Sequence, residues 1–163
     1  MNMRTGYAGK RREARQLAAS ARGQMWRDRT TPMSQDIAAR LDDARRLLER
    51  GNGEDARVLL LELLKQDPEN QAALMMLGGA YFSADKLSEA EMVFERLILM
   101  EPGNGRFSIA LFNTLWKQGR ADEAAEEIRR FLAVADQVKE QDTIEQYIAI
   151  TKQMAGDASE GDQ

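Results

Sequence analysis

The chain of 163 residues contains no cysteine and no histidine. Without cysteine there is no disulfide, no thiolate metal ligand and no cysteine nucleophile, and without histidine imidazole acid–base chemistry and His-bound metals are excluded. Only three prolines and 6% aromatic residues are present, too few for a loop-rich β-sandwich. No run approaches the roughly 18 consecutive apolar residues of a membrane-spanning helix. The first residues also lack the roughly 7–15-residue apolar stretch of a secretory signal, so the expected compartment is the cytoplasm. What remains is 43% hydrophobic and rich in Ala, Leu, Glu, Arg and Gln, residues that favour helices. The expected fold class is all-α, with no cofactor.

The net charge of -4 hides an asymmetry. Residues 1–30 hold eight basic side chains against Glu13 and Asp28, a net of +6, leaving -10 for the rest. Residues 1–31 are read as a basic N-terminal arm, helical over about 10–26 because Ala14, Leu17, Ala18, Ala21 and Met25 recur at helical spacing. Its cluster of Lys10, Arg11, Arg12, Arg15 and Arg22 can meet an acidic surface through charge alone. That surface is expected on this chain's own acidic body or on a partner within a multi-subunit complex, ahead of nucleic acid or membrane.

The rest of the chain repeats itself every 34 residues. Pro68 and Pro102 each follow an acidic residue and close an apolar helical run; Ala56, Ala90 and Ala124 share the same spacing. Residues 71–104 place Leu74, Leu77, Gly78, Tyr81, Ala90, Phe94, Leu97 and Pro102 in a pattern that resembles the tetratricopeptide repeat, a helix–turn–helix unit. Residues 37–70 keep Ala44, Leu47, Gly51, Ala56, Leu60, Leu63 and Pro68, with Arg40 and Asp43 in slots that are usually apolar. Residues 105–138 keep Leu111, Leu115, Gly119, Ala124, Ile128 and Phe131, but Phe112 stands where a small residue belongs and Asp136 replaces the proline.

The resemblance implies an α-solenoid of antiparallel helix pairs across 32–155. A C-terminal capping helix is expected over about 140–155, with Ile144, Tyr147, Ile148, Thr151 and Met154 on its apolar face. Residues 156–163 read as a disordered tail.

Two motifs that suggest chemistry have plainer readings. Gly51-Asn52-Gly53 and Gly103-Asn104-Gly105 follow no strand and carry no Lys-Ser/Thr, so they are helix–helix turns rather than phosphate loops. The carboxylate pairs Asp42/Asp43, Asp122/Glu123 and Glu126/Glu127 diverge around a helix and read as solvated faces.

By resemblance, the first helix of each repeat lines a concave groove. The matching positions are Leu41, Arg45 and Leu48 in the first repeat, Met75 and Phe82 in the second, and Arg106, Ile109, Asn113, Trp116 and Lys117 in the third. The set is apolar with some positive charge. It lacks the polar pattern of the clamp that holds chaperone C-terminal carboxylates, because Leu41 and Gly79 stand at two of its positions. The expected function is that of a non-enzymatic adaptor or assembly factor that binds a partner helix or extended peptide in the groove. The alternative is a cytoplasmic chaperone of a secreted client, since the layout is similar to that of type III secretion translocator chaperones.

Overall fold

Short polar side chains at fixed offsets set the helix boundaries. Asn70 and Asn104, one period apart, cap the third and fifth helices: Asn70 Oδ1 accepts from the Ala73 amide at 2.9 Å and Asn104 Oδ1 from the Arg106 amide at 3.1 Å. Each asparagine also donates to the acidic residue three positions earlier, Asp67 or Glu101, so the turn around each proline is braced on both sides. In the third repeat Asp136 takes over this task, accepting from the amides of Val138 and Lys139. Those two bonds, aided by the Lys139 charge, hold its carboxyl below the usual range.

This computed structural model describes residues 35–160, with side chains through Met154. Every element in that span is helical: α1 (35–49), α2 (Gly53–Gln66), α3 (Gln71–Ser83), α4 (Leu87–Met100), α5 (Gly105–Lys117), α6 (Ala121–Val134) and α7 (Gln141–Glu160). From α2 to α6 each helix packs on the next, and α7 packs on both α5 and α6. The described residues thus form the all-α solenoid that the period implies. The basic arm, including Lys10, Arg11, Arg12, Arg15 and Arg22 and its expected helix, lies outside the described residues.

Within each pair the turn needs one left-handed residue. Gly51 and Gly119 supply it at φ 79° and 75°, and Asp85 fills the equivalent slot at φ 59°. Between pairs, arginines one period apart make the same contact: Arg96 Nη2 donates to the Pro68 carbonyl at 2.7 Å, and Arg130 Nη1 to the Pro102 carbonyl at 3.1 Å. Each guanidinium ties a second helix to the turn that closed the repeat before it.

One continuous apolar cluster runs from Leu74 through Ala90, Phe94, Leu97, Leu111, Leu115 and Phe131 to Tyr147. Within the second pair two helices come into close contact. A Cβ built on Gly78 would lie 2.4 Å from Phe94 Cε1, so α3 and α4 approach as they do only because residue 78 has no side chain. In the third pair the sizes are redistributed. Phe112, buried at the slot of Gly78, faces Tyr147 of α7 in an edge-to-face contact with centroids 5.7 Å apart, and Ile128 replaces the bulkier Phe94. The large residue that breaks the repeat pattern is therefore the one that meets the capping helix.

Three expectations need correction. Helix α7 runs through Glu160, past the expected start of a disordered tail at 156. Its buried face is Ile144, Tyr147 and Ile150, whereas Ile148 is 43% exposed and the exposed Thr151 turns its hydroxyl back onto the Tyr147 and Ile148 carbonyls. Of the acidic pairs, Glu127 is buried rather than solvated, because Arg130 and Ser108 neutralise and bond its carboxylate.

Adjacent glycines in α3 give a paired prediction. Gly78→Ala forces Phe94 aside and is expected to cost about 1–3 kcal/mol. Gly79→Ala meets open space in a helix interior and is expected to add about 0.5–1 kcal/mol. Thermal melting should move down by several degrees for the first and up for the second; shifts in the same direction would contradict the packing described.

Candidate functional site

The candidate surface is the face of the first helices, where α3 and α5 stand side by side. Phe82 and Trp116 occupy equivalent positions one period apart, each one residue beyond a packing position, Tyr81 or Leu115. The 100° step per residue turns them away from the core. Trp116 is 49% exposed and Phe82 is half-buried.

Trp116 is held from beneath. It stacks on Phe112 one turn earlier, with centroids 5.9 Å apart and planes 20° from parallel. Phe112 meets Tyr147 edge-on, and Tyr147 meets Phe131 at 5.5 Å in the same manner. A row of four aromatic rings thus connects the core of the third pair to the surface. Beside Trp116 opens a notch of about 330 Å³, lined by Phe112, Asn113 and Trp116 from α5 and by Ile150, Gln153 and Met154 from α7.

A buried polar chain fixes that row. Ser108 Oγ donates to Glu127 Oε1 at 2.6 Å, so its own lone pair is left to accept from the Tyr147 hydroxyl, 2.9 Å away. Arg130 closes the chain with two bonds to the Glu127 carboxylate, both at 2.6 Å. Burial pushes the Tyr147 hydroxyl above the ordinary tyrosine range; the Ser108 bond and Arg130 oppose this, and the Glu127 charge reinforces it.

The structure brings some of the expected groove residues together and leaves others apart. Lys117 places its ammonium 4.8 Å from the centroid of the Phe82 ring and 2.9 Å from Asp85 Oδ1, which joins α5 to the end of α3. Asn113 and Trp116 share the notch. Met75 and Ile109 are partly buried against the core and form the floor, while Phe82 is partly buried with the rest of its ring accessible. Leu48 lines a separate hollow of about 520 Å³ beside Gly79. Leu41 is half-buried, while Arg45 and Arg106 are exposed. Arg45 pairs with Asp42 at 2.9 Å, so two of the three basic groove residues, Arg45 and Lys117, are already matched by carboxylates.

Residues absent from the sequence-derived set also line these hollows. Ile150 and Gln153 join the notch because of where α7 packs, which the repeat register does not specify. Arg57, paired with Glu54, lies buried in the Leu48 hollow with its guanidinium 5.8 Å from the Tyr81 ring centroid.

Residues 41–108 match the family model of the tetratricopeptide repeat. No curated protein matches the chain. Similar solved structures include MamA, at 21% identity and a TM-score of 0.55, with 60% of this chain aligned to 57% of that one. This chain therefore spans little more than half the length of MamA. The first TPR of Spaghetti (RPAP3), bound to the HSP90 peptide SRMEEVD, aligns at 15% identity and a TM-score of 0.60, over 74% of this chain and 97% of that one. The Yersinia enterocolitica type III secretion translocator chaperone SycD aligns at 19% identity and a TM-score of 0.59, over 72% and 93%. At these identities the likeness is one of fold. No described helix is long and apolar enough to cross a membrane.

The buried tyrosine gives a pH prediction. Folding holds Tyr147 neutral to higher pH than the unfolded chain does, so its contribution is complete below the ordinary tyrosine pKa of about 10 and is lost as pH rises above it. Melting temperature should fall more steeply above that pH for the wild type than for Tyr147→Phe. Parallel curves would contradict the burial of an ionisable hydroxyl at this site.

Proposed function

The chain carries tetratricopeptide repeats, and from that premise we propose that it is a non-enzymatic adaptor or assembly factor that holds a helix or extended segment of a partner protein on its first-helix face. The observation that carries this reading is Trp116: a large aromatic side chain left half exposed, yet fixed by stacking on a buried ring above an open notch. A rigid aromatic at the edge of a hollow loses little entropy on binding and offers a large contact area. The anchors are Trp116 and Phe82, with Met75 and Ile109 as apolar floor and Leu41 and Leu48 extending the surface toward the first repeat. Asn113, Arg45, Arg106 and Lys117 supply polar contacts at its edge.

Recognition is apolar rather than anionic, because Arg45 and Lys117 are already paired. The basic arm contributes longer-range attraction toward an acidic surface of the partner's complex, with nucleic acid or membrane as less favoured targets. The protein acts in the cytoplasm in this reading. A second reading, a chaperone that keeps a secreted apolar client in solution, is favoured by the likeness to SycD across most of both chains. It uses the same face, and the client in that case is an apolar secreted polypeptide.

Truncation of either anchor separates this surface from the remainder of the protein. Trp116→Ala and Phe82→Ala should each weaken binding of a purified partner by about 2 kcal/mol, roughly thirtyfold. Lys117→Ala should cost less than about 1 kcal/mol, since its charge is exposed and already screened by Asp85. Titration calorimetry on variants whose melting curves match the wild type measures this. Wild-type affinity in both aromatic variants would remove the first-helix face as the binding surface.

A further inference from the structure

The second helices carry a different surface. A cleft of about 550 Å³ lies between α4 and α6, and its floor is apolar: Ile98 from α4, Leu111 and Leu115 from α5. Leu99 is 82% exposed at its lip, contiguous with the apolar floor. The rim is acidic. Five carboxylates, those of Glu91, Glu95, Glu123, Glu126 and Glu127, line the cleft against only two guanidiniums, Arg120 and Arg130.

The internal pairing leaves negative charge uncancelled. Arg120 is shared, donating to both oxygens of Glu91 and also to Glu123, so one cation serves two carboxylates. Arg130 is consumed by the buried Glu127 and the Pro102 carbonyl. Glu126 is paired with Arg129 at the surface, where exposed pairs are weak. Glu95 pairs with no cation among the described residues.

We infer that the α4–α6 cleft is a second docking surface, for a basic amphipathic segment of a partner protein whose apolar side chains seat on Leu99 and the floor while its Lys and Arg side chains reach Glu95, Glu126 and the Glu91–Glu123 pair. Charge complementarity carries the choice of occupant. An apolar floor inside an acidic rim attracts cationic amphipathic helices and repels nucleic acid, anionic lipid and acidic peptides. The surface is built from helices other than those carrying Phe82 and Trp116, apart from the buried Leu111 and Leu115 of α5, and stands independently of the first-helix face.

The test uses the full chain and a fluorescent peptide of roughly 15 residues, long enough for about four helical turns, built of Leu and Lys at amphipathic spacing. A Leu/Glu peptide of the same pattern is the control. Anisotropy titration at low salt should show the Leu/Lys peptide binding at least tenfold tighter than the control, with affinity falling as salt shortens the Debye length. The double variant Glu95→Lys, Glu126→Lys should weaken binding at least tenfold. Glu69→Lys, a similar reversal in the turn between α2 and α3, should change it less than twofold. Leu99→Ser should weaken binding severalfold at low and high salt alike, and as a surface change it should leave the melting curve in place. Equal affinity in the wild type and the double variant would overturn the inference, and so would a Leu99→Ser protein that binds normally, because attraction would then be charge alone. A self-association that Leu99→Ser abolishes would identify a second copy as the occupant and overturn it as well.

Discussion

A helix pair of this kind cannot cover its own apolar face, and each pair is stable only because the next one lies against it. The constraint becomes acute where the repeats end. Here the last face is covered by Tyr147 of α7, fully buried between Phe112 and Phe131, with its hydroxyl satisfied by Ser108 and, through Ser108, by Glu127 and Arg130. The arrangement is polar at its centre and apolar around it. A buried carboxylate without that chain of donors would be strongly destabilising, whereas with it no buried side-chain polar atom among the described residues lacks a partner. The candidate binding surface depends on the same contact, since Trp116 rests on Phe112 and Phe112 rests on Tyr147.

Much of the array was legible in the sequence because it is built from local devices that recur. The prolines at 68 and 102, the small residue at 78 opposite Phe94, and the turn glycines at 51 and 119 each act through neighbours in their own repeat or the next. Arg96 and Arg130 belong to the same class: their spacing is visible in the sequence, but their partner is a backbone carbonyl, which no residue type reveals. The ends of the array were less legible. Ser108, Glu127 and Tyr147 are 19 and 39 residues apart along the chain, and nothing in a 34-residue period predicts their meeting. The buried face of α7 is set by tertiary contact for a related reason: Ile150, rather than Ile148 or Thr151, continues the stripe that Tyr147 begins once that ring fixes the helix rotation.

The candidate site divides in the same way. Helical geometry alone was enough to turn Phe82 and Trp116 out of the core, and the structure leaves both accessible. The charge on that face was only partly legible: Asp42 lies one helical turn before Arg45, a spacing the sequence displays, whereas the partner of Lys117, Asp85, sits in the turn after α3. The resulting surface is close to neutral and aromatic, while the cleft between α4 and α6 collects carboxylates around exposed Leu99. In the proposed reading, these two surfaces of contrasting charge would take two different partners.

The claim on which the rest depends is that helices α2 to α7 form one stack closed by Tyr147. Native-state hydrogen exchange on the wild type and Tyr147→Ala tests it most directly. Truncation of a fully buried aromatic ring costs about 3–5 kcal/mol. In a stack coupled only between neighbours, that loss falls first on the helices next to it. Amides of α5 and α6 should therefore lose the most protection, those of α4 less, and those of α2 and α3 least. Wild-type protection of α5 and α6 in the Tyr147→Ala protein would contradict the account.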